Sequence, residues 1–543
     1  MHHFHGARLI AGVALLLSLG ACSGGGSDNK VSRQIQLSTQ SVRFEAAAPD
    51  SATPPPAQTV TAVLSEGLAN LSVLSSGRGV ESITSSINGS TALLTITPSA
   101  PNTLGSGIYT TTVAITGYFC ADAACSRLEA GASQTLTVTY QISPTVDGIA
   151  PNTAIAGVAD TAIIRGKGFG GYTISGVKLG SVAATTTTVA SDNEIRIAYP
   201  ALAAGSYPVT IDVPSHQGTI TSTATLLVVD AISPAGQALA WPNAVTTVRT
   251  LFYDAQHGAL IAASDAGGGE VLRYPYTAGA WGTATTQPIA NLRDVALSTE
   301  GSSLVSISSS QLFPLDPVTL TPGAAVDPPS LASGVTLKNI AFTNLNSAVI
   351  TTSNGATQSN LYGYVTRTGV LSQLSAVLVS ATPGAAGNGS FIAFIQGDPA
   401  TTSTLSVFTL DASSANIAPS TIGLNQNSVA PIFDRNATRL ILNGTNVYDP
   451  SFALFGKLPT TTLAVAMRPD GKRAYTYDSA AGALLRFDIS ATKSGEAYVQ
   501  LGDAVPLVAA PGANVKMAIS PDGNTLFLAG ATQIVVQPTP LDP

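Results

Sequence analysis

Apolar and polar positions alternate along most of the chain. In Thr135–Ile142, Leu136, Val138, Tyr140 and Ile142 fall on one face, while Thr135, Thr137, Thr139 and Gln141 fall on the other. A period of two predicts strands with one face buried and one in water. The same alternation in "YTTTVAI" turns Tyr109, Val113 and Ile115 inward. About seven such segments between Gln34 and Ser143, separated by turn residues, predict two antiparallel sheets packed face to face, an immunoglobulin-like sandwich. The prolines of "TPPP" mark a lead-in loop, because proline cannot occupy a central strand.

The last 300 or so residues carry a weak repeat from Ala231 onward, clearest in "MRPDGKRAYTY" and "ISPDGNTLFLA". Aligned on the second strand of each unit, the turn positions are Gln256, Glu300, Asn344, Gly387, Asn436, Asp470 and Asp522, at intervals of 44, 44, 43, 49, 34 and 52 residues. Units of this length predict a seven-bladed β-propeller with four strands per blade. Two strands, "NTLFLAG" and "TQIVVQP", follow Asp522, and "GQALAW" stands ahead of the first unit without a blade. Pairing the N-terminal strand with the C-terminal one would close the ring and remove two free edges. The "PDG" turns resemble those of lactonase-like bacterial propellers.

Between these regions, "IIRGKGFGGY" places Gly166, Gly168 and Gly171 in the spacing G-x-G-x-x-G. A dinucleotide site needs a helix opening at the third glycine, and "YTISGVKLGSVAATTTTVASDNEIRIAYP" alternates with turn glycines instead. Asp192, 21 residues on, fits the spacing of a ribose-binding acid by coincidence. The stretches "PTVDGIAPNTAIAG", "IIRGKGFGG", "VKLGSVAA", "SDNEIRIAYP" and "GSYPVTIDV" resemble an IPT/TIG domain from Pro144 to about Asp230. That resemblance implies an immunoglobulin-like fold, a glycine turn where the strand leaves the sheet, Phe169 in the core, and a connector or binding role without catalytic residues. The expected class is therefore all-β: two immunoglobulin-like sandwiches, the second IPT/TIG-like, followed by a seven-bladed β-propeller.

Charged residues make up 10% of the chain, too few to support many helices. At the N-terminus, Arg8, the apolar run "LIAGVALLLSL" and "LGAC" form a secretion signal too short to span a bilayer permanently. The ending resembles the lipobox of bacterial lipoproteins, which implies lipid attachment at Cys22 after removal of residues 1–21. His2, His3 and His5 would leave with the signal. "SGGGSDNK" reads as part of a flexible tether over 22–33, ahead of domains at 34–143, 144–230 and 231–543. Ser23 after the cysteine resembles the pattern of lipoproteins sent to the outer membrane, giving a lipid-anchored place in the cell envelope with the face open.

Loss of Arg8 leaves 23 basic and 31 acidic residues, and no Lys/Arg run exists, which speaks against nucleic acid and other anionic partners. Cys120 and Cys125 flank a four-residue hairpin loop in an exported domain, so a disulfide is expected. His216 and His257 lie in different domains and read as solvent-facing turn residues, offering no Ser-His-Asp set. No metal or cofactor motif is present, and neither is expected. Carboxylates from separate blades could still meet in the channel without leaving a linear motif. The favoured function is binding of an envelope protein or glycan through Gly/Ala/Ser/Pro-rich loops at "TPGAAVDPPSLASG", "SATPGAAGNG" and "SATKSGEAY". The alternative is a propeller hydrolase of the lactonase type.

Overall fold

A computed structural model describes residues 33–540, apart from 69, 123, 217, 299–300, 344–346, 354–357, 380, 388–391, 397–401, 412–413, 426–429 and 460–463. The signal segment, Cys22 and the tether before Arg33 lie outside the described residues. The chain divides into two compact units. Among the described residues, one comprises 33–42, 57–97 and 111–138; the other comprises 43–56, 98–110 and those from 139 onward.

The first sandwich has eight strands, one more than the pattern suggested. One sheet runs Ile35–Leu37, Gln58–Leu64, Thr91–Pro98, Val80–Asn88; the other runs Ser41–Ala46, Leu128–Ile142, Gly107–Cys120, Asn70–Gly77. Leu136, Val138, Tyr140 and Ile142 are all 1% exposed or less, as their alternation requires. Gln141, on the opposite face, is buried too, because Arg43 Nη2 donates to its Oε1. Cys120 and Cys125 are joined by a disulfide.

The second sandwich pairs a sheet of Thr186–Ser191, Glu194–Tyr199, Asp160–Lys167 and Thr145–Ala150 with one of Thr153–Ile155, Gly218–Val229, Gly205–Val213, Gly176–Leu179 and Val182–Ala183. The glycine motif is a turn here. Phe169–Gly171 form one 3-10 turn rather than a helix, and Phe169 is fully buried among Ile164, Ile195 and Val209. Gly168 has φ +82°, where a Cβ is costly. Gly166 and Gly171 serve close approach instead: a Cβ on them would stand 2.0 Å from the Thr145 carbonyl oxygen and 2.2 Å from that of Ser106. Asp192 also has a structural use, since its carboxylate accepts the N–H groups of Gly170 at 3.0 Å and Gly168 at 3.2 Å.

The third region is a ring of seven sheets. Their inner strands are Val248–Asp254, Leu292–Leu297, Thr336–Phe342, Thr382–Ala385, Ile432–Phe433, Val465–Met467 and Lys516–Ile519. Each packs against the next, and the seventh packs against the first. The repeat positions Gln256, Gly387, Asn436, Asp470 and Asp522 fall in the interval between the first and second strand of their blades, while Glu300 and Asn344 lie outside the described residues. Second strands such as Ala259–Ser264, Leu304–Ser308 and Thr525–Ala529 are buried at every residue, because adjacent blades cover both faces. They read as continuous apolar runs for that reason. Gln237–Ala240 pairs antiparallel with Gln533–Val536 and closes the ring. Blade two departs from the four-strand expectation: it has three strands, edged by isolated bridges from Leu312 to Val326 and from Leu315 to Pro322.

Candidate binding site at the mouth of the propeller channel

Antiparallel blades put the turns between first and second strands at one end of the ring and the N-termini of the inner strands at the other. The turn end meets the second sandwich. Arg435 Nη1 lies 3.3 Å from Asp160 Oδ2, its Nη2 donates to the Thr153 carbonyl, and Asn436 Nδ2 donates to Asp160 Oδ1 at 3.4 Å. Asp522 Oδ2 accepts the N–H of Ile232 at 2.6 Å, tying the interdomain linker to the last blade. A cleft of about 490 Å³ lies in this seam, lined by residues that include Asp147, Asn152, Gln256, Ser303 and Arg367. Burial raises the Asp147 carboxyl above its usual value, while Lys167 and Arg367 pull it back, so the cleft's charges offset one another.

The opposite mouth is built differently. The inner strands of blades one, two and three each slip register near their start, between Val248 and Thr250, Leu292 and Asp294, and Leu337 and Ile340. The residues in these bulges are Arg249, Arg293, and Lys338 with Asn339, and a bulge re-aims the side chain it carries. Blade seven starts its inner strand with Lys516. At the centre is Asp294, whose Oδ1 accepts from Thr250 Oγ1 and from the Val295 N–H at 2.9 Å. Its Oδ2 accepts from Asn339 Nδ2 and the Ile340 N–H, both at 3.1 Å. One carboxylate thereby fastens three successive blades at the axis.

Burial pushes the Asp294 carboxyl up against the lowering effect of those hydrogen bonds and of Lys516. Lys516 is pushed down, first by loss of hydration and further by the like charge of Arg249, with Asp294 opposing. Lys516 is nonetheless exposed to solvent. Lys338 is pushed down by burial and donates to Thr382 Oγ1 of blade four at 3.2 Å. Arg249 Nε is shielded from solvent and has no hydrogen-bond partner among the described residues.

The histidines expected to face solvent do not both do so. His257 lies in its turn, but its Nδ1 is 2.7 Å from Asp254 Oδ2, and its side chain is 19% exposed because that carboxylate is buried beneath it. His216 lies in the 3-10 turn Pro214–His216 of the second sandwich. The propeller's other carboxylates largely hold turns: Asp316 accepts from Val318 and Thr319, Asp449 from Ser451 and Ala453, Asp478 from Ala480 and Ala481. Among the described residues, no three His, Cys, Asp or Glu side chains gather as a metal site would require.

Of the three stretches read as loop insertions, two are loops between strands and one is not. "TPGAAVDPPSLASG" edges blade two through its isolated bridges, "SATPGAAGNG" contains the inner strand Thr382–Ala385, and "SATKSGEAY" lies along the outer strand Leu454–Lys457 of blade five, with Lys457 N–H donating to Glu496 O at 2.9 Å. In the strand Thr382–Ala385, Gly384 allows a close approach, since a Cβ on it would stand 2.0 Å from the Pro431 carbonyl oxygen, so small residues alone do not mark a loop. A signal for the mouth was available in "VRT", "LRD" and "LKN": cations at 249, 293 and 338 recur 44 and 45 residues apart, in step with the turns.

Residues 144–228 match the IPT/TIG domain family. No curated protein matches the chain. Among solved structures, a structural genomics protein of unknown function from Bacteroides thetaiotaomicron VPI-5482 is similar over 72% of this chain and 97% of its own, with 15% identity and a TM-score of 0.34. The β-propeller domain of Cps50 (Swd1) from Myceliophteria thermophila is similar over 56% of this chain and 100% of its own, with 11% identity and a TM-score of 0.42.

Proposed function

We propose that this is a lipid-anchored protein of the bacterial cell envelope whose sandwiches carry a propeller that binds a protein or glycan partner through its channel mouth, without turning it over. The observation that carries this reading is the asymmetry of the ring's two ends. The second sandwich packs against the turn end, while the mouth keeps solvent contact and gathers cations from successive blades. Asp316, Asp449 and Asp478 are engaged in turns, Asp294 in holding blades together, Asp254 with His257, and Glu270 with Asn243 and Ser264. Lipid attachment at Cys22 follows from the lipobox resemblance, and outer-membrane sorting from Ser23.

The test is capture from envelope extracts with the full chain, beside a screen of lactone and ester hydrolysis. A partner retained by the wild type and lost with the double substitution R249E/K516E supports binding. Saturable hydrolysis abolished by Asp294→Asn, with the fold intact by circular dichroism, would favour the lactonase-type alternative instead.

A further inference from the structure

We infer that the cleft in the seam between the second sandwich and the propeller is a binding site for a short zwitterionic peptide, whose ammonium pairs with Asp147 and whose carboxylate pairs with Arg367. At about 490 Å³, the cleft has the volume of an ordinary small-molecule site. Its two walls carry opposite charges. Asp147 stands on the sandwich strand Thr145–Ala150, and Arg367 in the turn that joins the third and fourth strands of blade three, Gln358–Val365 and Val370–Val379. Both line the one cavity, and both are exposed to solvent, so the gap is open to a solute.

Among the described residues, neither charge has an ion-pair partner within 4.0 Å. Burial raises the Asp147 carboxyl, and the attraction of Lys167 and Arg367 opposes that rise from beyond pairing distance, with a smaller repulsion from Asp50. Of these three charges, Lys167 and Asp50 pair with each other, which leaves Arg367 as the cation facing Asp147 across the gap. A ligand with a single charge would satisfy one wall and leave the other bare, whereas a zwitterion makes a charge-assisted contact with each. The planar guanidinium fork suits the carboxylate end.

The other polar groups of the lining fit a peptide backbone. Asn152 is 6% exposed, and among the described residues its carboxamide meets only the Thr153 hydroxyl, which donates to its Oδ1 at 3.4 Å. On the propeller wall, Gln256 Oε1 is shielded from solvent and has no hydrogen-bond partner among the described residues. Each carboxamide offers a carbonyl acceptor and N–H donors, the complement of what a peptide bond presents. Leaving such groups unpaired is unfavourable, and a peptide bond laid against them relieves that cost. Ile149 and Leu227 add apolar surface to the lining for a small side chain.

Isothermal titration of the full chain with the dipeptide Ala-Ala, its N-acetyl form and its C-terminal amide tests the site. Ala-Ala should bind saturably, and each blocked form at least about tenfold more weakly, because one contact between charged groups is lost. D147N should weaken Ala-Ala by a similar factor and leave the N-acetyl form unchanged, while R367Q should weaken Ala-Ala and leave the amide unchanged. A general loosening of the cleft would not produce that crossed pattern. K493Q, which alters an exposed lysine elsewhere, should bind as the wild type does. Both cleft substitutions replace exposed side chains, and circular dichroism checks that the fold is kept. No saturable binding of Ala-Ala to the folded wild type, equal affinity for the three ligands, or full affinity in D147N/R367Q would overturn the assignment. The outcome bears on the seam alone, since the partner-binding mouth lies at the opposite end of the ring.

Discussion

Removing residues 236–241 takes away the strand that closes the ring, and its cost can be worked from the contacts. Gln237–Ala240 pairs residue for residue with Gln533–Val536, at about 1 kcal/mol for each of the four paired positions. Leu239 is 8% exposed against Ile534 and Val536, which are fully buried, and its burial contributes about 2 kcal/mol. Trp241 Nε1 donates to the Gly530 carbonyl at 2.8 Å, and the Tyr274 hydroxyl donates to the Ala240 carbonyl at 2.9 Å; each adds about 1 kcal/mol. The loss of about 8 kcal/mol is comparable to the whole stability of an ordinary domain. Calorimetry of the full chain should therefore show the propeller transition abolished while the sandwich transition remains. Leu239→Ala is a milder version that should cost about 2–3 kcal/mol and lower the propeller's melting temperature. A deletion variant that keeps a cooperative propeller transition would refute ring closure as a source of stability and leave the segment a linker.

Other consequences are equally direct. Cys22→Ser should move the protein from the membrane to the soluble fraction; unchanged partitioning would sink the lipid anchor. Non-reduced tryptic peptides should show Cys120 linked to Cys125 by mass spectrometry, and Cys125→Ser should cost the first sandwich about 2 kcal/mol in denaturant unfolding, as expected for so short a loop. Burial pushes the hydroxyls of Tyr172, Tyr199 and Tyr498 up to about 12. An unfolded tyrosine ionises near about 10, so the stability these groups confer is complete below that pH and is lost as pH rises toward their folded values. Melting temperature should fall across this alkaline window, with tyrosinate absorbance rising together with unfolding; ionisation of all the tyrosines well before unfolding would contradict their burial.

How much could be read from the chain differs by feature, for physical reasons. Strand alternation is a local property, so Leu136 to Ile142 pointed inward on sequence alone. Turn chemistry is also local, and the described repeat positions, such as Gln256, Asn436 and Asp522, fell between first and second strands even where the sequence of the turn had drifted. Strand number within a blade was less legible, because an outer strand such as the one blade two lacks has few contacts to constrain its sequence. The mouth depends on the ring: Thr250, Asp294 and Asn339 are 44 and 45 residues apart and meet only when three blades are assembled. Bulges add to the difficulty, since a residue slipped out of register breaks the alternation by which its direction would be inferred. His257 misled for a similar reason, its partial burial going with Asp254, a buried carboxylate at the end of the first blade's inner strand.

The central claim, that the channel mouth rather than the turn end meets the partner, is most directly tested by site-specific photocrosslinking in envelope preparations. A photoreactive residue at Ala513, exposed beside Lys516 on the mouth side, should yield a discrete crosslinked species that disappears when R249E/K516E is introduced. The same residue at Asn524, exposed at the turn end of the same blade, should yield none. Crosslinks from Asn524 with Ala513 silent would place the partner on the other end of the ring and contradict the account.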